Sequence, residues 1–246
     1  MGEEGMSATP WDDDFIRRRD AARDRLDTLF GAKGGNREDR STWFDAVYDT
    51  AEGDPAAVPW ADLAPKQELT DWLADNAAAG ESALDIGCGL GDNAEALAAA
   101  GYRTTAFDLS ATAIQWARAR FPQSPVDYRA ANLFDLPPEW TGAFDLVHEC
   151  YTLQALHGEL RVAGFAAIAR LVAPGGRLLV ITRSAEEGTE SSGPPWPLTP
   201  SEIARFEALG LACQETHAYE VRRGERVIPH VRAVWRWRNE HPGHGV

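Results

Sequence analysis

Ala83-Leu84-Asp85-Ile86-Gly87-Cys88-Gly89-Leu90-Gly91-Asp92-Asn93-Ala94 is the stretch on which the fold turns. An apolar run meets an acid, glycine then occupies every second position, and a helix start follows. Glycines in this arrangement suit a backbone that turns sharply and lets a ligand lie against it. Loops that bind dinucleotides use Gly-x-Gly-x-x-Gly and offer amides and a helix N-terminus to a pyrophosphate. Here the third glycine comes one residue early, and carboxylates (Asp85, Asp92) flank the loop. They would repel a ligand with several negative charges, but not one that carries an ammonium and a sulfonium.

The chain around this loop has 246 residues, 44% hydrophobic and 25% charged, which is room for a full core. A formal net charge of −14 argues against a standing nucleic-acid face and against docking on anionic membranes. Cys88, Cys150 and Cys213 are far apart and form no Cys-x-x-Cys pair, so reduced, cytoplasmic thiols are expected. The N-terminus is charged (Asp12-Asp13-Asp14, Arg17-Arg18-Arg19), unlike a signal peptide, and no apolar run reaches membrane-span length. The histidines show no ligand spacing with acids, so no metal site is expected. A cytoplasmic protein, monomer or homodimer, without nucleic-acid or membrane partners is the expectation.

Residues 1–40 read as a tail and an amphipathic helix. Between Trp11 and Phe30, Trp11, Phe15, Ala22, Leu26 and Leu29 form one apolar stripe, better suited to packing on the main domain than to a partner. Gly31 to Arg40 reads as a linker. Residues 41–246 form the main domain. Its first part, 41–80, reads as a helical lid, with two helices between Thr42 and Asn76 around a Pro-rich bend at Asp54–Pro65. Strands are expected near 82–86, 102–108, 126–131, 143–149, 176–183, 211–220 and 227–237. Helices are expected near 92–100, 111–120, 158–172 and 201–209. Alternating Val227, Pro229, Val231, Ala233, Trp235 and Trp237 predict a last strand that is half exposed or at an edge. The alternation as a whole predicts an α/β fold. Its sheet is Rossmann-like, doubly wound, seven-stranded and mostly parallel, with an antiparallel C-terminal strand and an N-terminal helical extension.

Asp108 ends the second strand, where a doubly wound sheet places an acid on the hydroxyls of a ribose. A carboxylate accepts two hydrogen bonds from a vicinal diol. That suits NAD and S-adenosylmethionine equally, and the charges beside the glycine loop favour S-adenosylmethionine. Capping of the next helix is the plainer role for Asp108, and Ser110 is able to take it instead.

Asp85-x-Gly87-x-Gly89-x-Gly91, Asp108, Asn132-Leu133-Phe134-Asp135-Leu136-Pro137, Phe144-Asp145-Leu146-Val147 and Leu171-Val172-Ala173-Pro174-Gly175-Gly176 follow in order. Together they resemble the successive motifs of class I S-adenosylmethionine-dependent methyltransferases, across residues 67–237. The resemblance implies a cofactor site of Asp85, Gly87, Gly89, Gly91, Asp108, Leu109, Asn132 and Leu133, with Asp85 and Gly87 near the methionine moiety, Asp108 on the ribose and Asn132-Leu133 beside the adenine. The usual acid at the adenine position is Asn132 here, whose amide oxygen is a weaker acceptor. Val58-Pro59-Trp60-x-Asp62-x-x-Pro65-x-x-x-Leu69 resembles the segment ahead of the glycine loop in thiol, thiopurine, halide and tellurite-type methyltransferases, which implies that Trp60 helps close the cofactor site. Trp196, in Gly193-Pro194-Pro195-Trp196-Pro197-Leu198, is a second lid candidate, and either tryptophan would serve equally as a core anchor.

His148-Glu149-Cys150-Tyr151 follows the fourth strand, where the crevice of such a fold opens. Strand alternation sends His148 and Glu149 to opposite faces. Glu149 is the first candidate for contact with cofactor or acceptor, and Tyr151 joins it as a catalytic candidate. His148 reads as a strand histidine with a backbone partner, and Cys88 as a space-filler. The expected activity is transfer of methyl from S-adenosylmethionine to a small-molecule acceptor, most plausibly a thiol or other soft nucleophile. The alternatives are an oxygen or nitrogen acceptor and, further off, an NAD(P)-dependent oxidoreductase or a non-catalytic nucleoside-binding module.

Overall fold

In a computed structural model the chain is described over residues 13–29, 41–191, 194–223 and 225–238. The expected tail, the Gly31–Arg40 linker and Trp11 lie outside those residues. The strands are β1 (Ser82–Ile86), β2 (Arg103–Asp108), β3 (Asp127–Ala130), β4 (Phe144–Cys150), β5 (Val172–Arg183), β6 (Leu211–Arg223) and β7 (Arg226–Trp237). They form one seven-stranded sheet in the order β3-β2-β1-β4-β5-β7-β6. Strands β1 to β5 are parallel, and β7 runs antiparallel to both β5 and β6. The helices are α1 (Asp13–Leu29), α2 (Ser41–Thr50), α3 (Gln67–Ala74), α4 (Asp92–Ala99), α5 (Ala111–Arg120), α6 (Gly158–Ala169), α7 (Pro200–Ile203) and α8 (Arg205–Ala208).

Central parallel strands are covered on both faces, so β1 and β4 read as nearly continuous apolar runs. One face packs Leu84, Ile86, Val147 and Val180 against Phe165 and Ile168 of α6 and Phe206 of α8. The other packs Ala83, Leu146, Leu179 and Val234 against Leu69 and Trp72 of α3 and Leu97 of α4. The connections after β1 and β4 depart in opposite directions across the sheet, which opens a crevice at their carboxyl ends.

Helix α1 lies on the 3₁₀ turn Pro55–Ala57. Phe15 and Ala22 are buried, and the Arg19 guanidinium meets Asp62 and the carbonyl of Ala61. The described part of the stripe therefore packs on the main domain.

Three local readings change. The last strand, expected half exposed or at an edge, lies inside the sheet between β5 and β7's hairpin partner β6, which takes the edge. Val231, Ala233 and Trp235 are buried beside His230 and Val234, because helices cover both sides of β7 and period-two alternation cannot report that. β5 starts earlier than expected, with a register shift between Phe144 and Leu146. A Cβ at Gly176 would stand 2.9 Å from the carbonyl oxygens of Phe144 and Ala173. The 201–209 helix is two short helices, the first held by a capping box between Thr199 and Glu202. No helix among the described residues is long and apolar enough to cross a membrane.

Candidate functional site

The glycine loop leaves β1 with Gly87, Gly89 and Gly91 all at positive φ (62°, 52° and 91°), a region that side-chain-bearing residues rarely occupy. Close packing adds a second reason for two of them. A Cβ at Gly87 would lie 2.6 Å from Thr152 Oγ1, and one at Gly91 would collide with the Tyr128 hydroxyl. The loop is thus pressed between the turn after β4 and the side of β3. Asp92, at the start of α4, is bound by both guanidinium nitrogens of Arg120 (2.7 and 2.9 Å). Its charge is matched within the protein, so the electrostatic character of the loop rests on Asp85 and Asp108.

Asp108 closes β2 with its carboxylate held by two backbone amides, Gly89 N–H to Oδ2 and Ser110 N–H to Oδ1, each at 2.9 Å. Ser110, not Asp108, caps α5, accepting from the Ala113 amide. Asp108 is partly exposed at the crevice, and desolvation pushes its pKa up to about 6 against the pull of the two amides. Each oxygen keeps lone-pair capacity beyond the amide that it accepts. Leu109 is half-buried beside it.

Asn132 follows β3, and the Ala131 amide donates to the Asp108 carbonyl, so the ends of β2 and β3 are tied together. Asn132 Oδ1 accepts from the Phe134 amide at 3.0 Å, an Asx turn that shapes the loop. The Leu133 side chain is buried in the main core.

The remaining acids lie near the ends of two neighbouring strands, Asp85 on β1 and Glu149 on β4. Glu149 is wholly buried, and its Oε1 accepts from the Leu153 amide at 2.8 Å. Burial raises its pKa to about 7, opposed by the amides of Leu153 and Thr152 and reinforced by the charge of Asp85. Asp85 is buried too, and its Oδ1 lies 2.7 Å from His148 Nδ1. Sequence alone predicts a backbone partner for His148; parallel register instead sets it directly beside Asp85. Asp85 Oδ2 and Glu149 Oε2 have no hydrogen-bond partner among the described residues. Tyr151 sits at φ 69° with Lys66 Nζ 4.6 Å from its ring centroid and the His230 ring at 5.7 Å.

Two aromatic side chains roof the loop from the N-terminal side. Trp60 Nε1 donates to the Tyr48 hydroxyl at 2.8 Å, and that hydroxyl lies 3.4 Å from where a Cβ on Gly89 would stand. Trp43 and Phe44 pack against Trp60 at 5.6 and 5.4 Å. Trp196, the other lid candidate, is a buried anchor: its amide donates to Gln154 and its carbonyl accepts from Arg161. Tyr48, Tyr128 and Thr152 carry no signal for this role in the sequence, because each reaches the loop from a distant element and belongs to no local motif.

The crevice is therefore rich in acceptors (Asp85, Asp108, Asn132), and two cations beside it are already paired, Arg120 with Asp92 and Lys66 with Asp62. A ligand that brings hydroxyl donors and an ammonium fits such a set; a pyrophosphate does not. S-Adenosylmethionine, with a ribose diol, an ammonium and a sulfonium, has that chemistry.

Comparison with known proteins agrees. A family model described as a methyltransferase domain matches residues 83–176. The chain is 39% identical over 115 residues to the ubiquinone biosynthesis O-methyltransferase of Aromatoleum aromaticum, covering 46% of this chain and 48% of that protein. Against the protein of the same name from Xanthomonas oryzae pv. oryzae it is 40% identical over 106 residues, 42% of this chain and 44% of that one. The chain thus matches about half the length of these curated relatives. Among solved structures, one reported as "Conversion of a Disulfide Bond into a Thioacetal Group during Echinomycin Biosynthesis" has a TM-score of 0.65 at 22% identity, over 80% of this chain and 92% of that one. The N-methyltransferase NodS from Bradyrhizobium japonicum, in complex with S-adenosyl-L-homocysteine, has a TM-score of 0.60 at 21% identity, over 78% and 98%. These two show a shared fold.

Proposed function

We propose that this chain, which carries a class I S-adenosylmethionine-dependent methyltransferase domain, moves a methyl group from S-adenosylmethionine to an oxygen of a small-molecule acceptor. The observation that carries the donor half is the Asp108 carboxylate, fixed by the Gly89 and Ser110 amides and facing the crevice. The acceptor half is supported by the O-methyltransferase names of the relatives that share the domain sequence. They favour oxygen over the soft nucleophile that the Pro59-Trp60 segment suggests.

S-Adenosylmethionine supplies a methyl group already activated by positive sulfur, so the protein's task is chiefly to align donor and acceptor and exclude water. Asp108 receives the ribose hydroxyls, Leu109 packs beside the ribose, and Asn132 with Leu133 borders the adenine. Asp85 faces the ammonium, while Gly87, Gly89 and Gly91 shape the backbone that the methionine tail follows. Trp60, hydrogen-bonded to Tyr48, closes the site from the 41–80 segment, which acts as its lid. On the acceptor side, Tyr151 is half-exposed and carries the Lys66 ammonium over its ring, an arrangement suited to holding an oxygen that gains negative charge as it loses its proton. Glu149 holds the turn that presents Tyr151, its Oε1 accepting from the Leu153 amide.

Calorimetry with S-adenosylhomocysteine, followed by mass spectrometry of reactions offered small hydroxyl, thiol and amine acceptors, tests both halves. Binding and a methyl adduct in the hydroxyl class are expected. Methylation confined to thiols or amines would sink the acceptor reading, and an absence of binding would sink the donor reading.

A further inference from the structure

We propose that His148 is a positioning residue for the donor site, clamping one oxygen of Asp85 so that the other is held toward the ammonium of the methionine tail. The inference rests on the donor reading above and adds a residue outside the motif that identifies it. Parallel pairing sets Asp85 of β1 beside His148 of β4, and both side chains are buried. A carboxylate accepts only, so the 2.7 Å contact places the hydrogen on His148 Nδ1 and points it at Oδ1. His148 Nε2 has no partner among the described residues, so the bond to Asp85 is what orients the ring.

Asp85 Oδ2 has no partner either, one residue before the strand ends and the chain turns through Gly87. A buried carboxylate oxygen without a donor is costly. Lys66, which shares the neighbourhood of Cys150 with Asp85, is already paired with Asp62. An ammonium arriving with the ligand completes the set. Held by a histidine on the adjacent strand, the carboxylate loses the rotation about its side chain that would otherwise be surrendered on binding.

Two amide variants of the full chain separate positioning from mere filling. His148→Asn places an amide nitrogen near the position of Nδ1, whereas His148→Gln carries its amide one carbon further. Each is titrated with S-adenosylhomocysteine and with 5′-methylthioadenosine, which keeps the nucleoside and lacks the ammonium. The Asn variant should bind S-adenosylhomocysteine within about twofold of the unmodified chain and the Gln variant about tenfold more weakly, with both binding 5′-methylthioadenosine normally. Equal weakening of both ligands, or no difference between Asn and Gln, overturns the proposal. If the unmodified chain binds neither ligand, the donor reading falls first, an outcome distinct from either. Should the Gln variant fail to fold, His148→Leu, which removes the donor to Asp85, decides. It must lose affinity for S-adenosylhomocysteine and keep it for 5′-methylthioadenosine, and an unselective loss sinks the idea.

Discussion

Asp108 and Glu149 stand at the carboxyl ends of two strands of one sheet, each engaged by backbone amides and each raised in pKa by burial. Their surroundings separate them. Asp108 is partly exposed, and its amides come from the glycine loop and the start of α5, so it joins two walls of the crevice and still faces the opening. Glu149 is wholly buried, and its amides come from the turn that directly follows it. The same functional group is thus open to a ligand in one place and an internal brace in the other. Accessibility decides between them, not the pKa.

The largest test of that contrast is Asp108→Ala. Loss of two charge-assisted hydrogen bonds to a ribose diol should weaken S-adenosylhomocysteine by roughly 100-fold or more, read by calorimetry, with a small change in melting temperature. A large loss of stability with affinity intact would place Asp108 with Glu149 among the braces.

Glu149 should show the reverse, a stability effect that depends on pH. Its folded pKa of about 7 lies above its ordinary value, so the stability it contributes is fully present below about pH 4.5 and is lost as pH rises through about 7. The loss should approach roughly 3 kcal/mol by pH 8, and Glu149→Gln should flatten it. Denaturant melts of both proteins from pH 5 to 8 measure the difference; parallel curves would show that Glu149 does not titrate in the fold.

The smallest effect separates the two acids by ligand alone. Ribose hydroxyls need the ionised form of Asp108, so affinity for S-adenosylhomocysteine should fall as pH drops through about 6, nearing tenfold per unit below it. Affinity that is level between pH 7 and 5 would mean that another group receives the diol.

Much of this fold is legible in the chain. Asp85 to Gly91 announces a strand, a sharp turn and a helix, because alternating glycines and a strand-end acid leave the backbone few other courses. Asp108 is recognisable from its place one strand later. Strand β7 is less so, since its alternation says that one face is apolar and is silent about what covers the other. The N-terminal segment marks the opposite limit. Trp60 stands out in sequence, while its partner Tyr48 and their approach to Gly89 do not, because a helix ahead of the sheet is free to dock in many places.

The sheet, the glycine loop and the acid at the end of β2 follow from local periodicity and backbone freedom, which the chain carries in its own order of residues. Which carboxylates are left available follows from contacts between distant elements. Pairing with Arg120 removes Asp92, burial turns Glu149 inward, and the register of β1 against β4 couples Asp85 to His148. Charge, burial and hydrogen bonding at a crevice are set by residues far apart in the chain, so their balance exists only once the strands have come together.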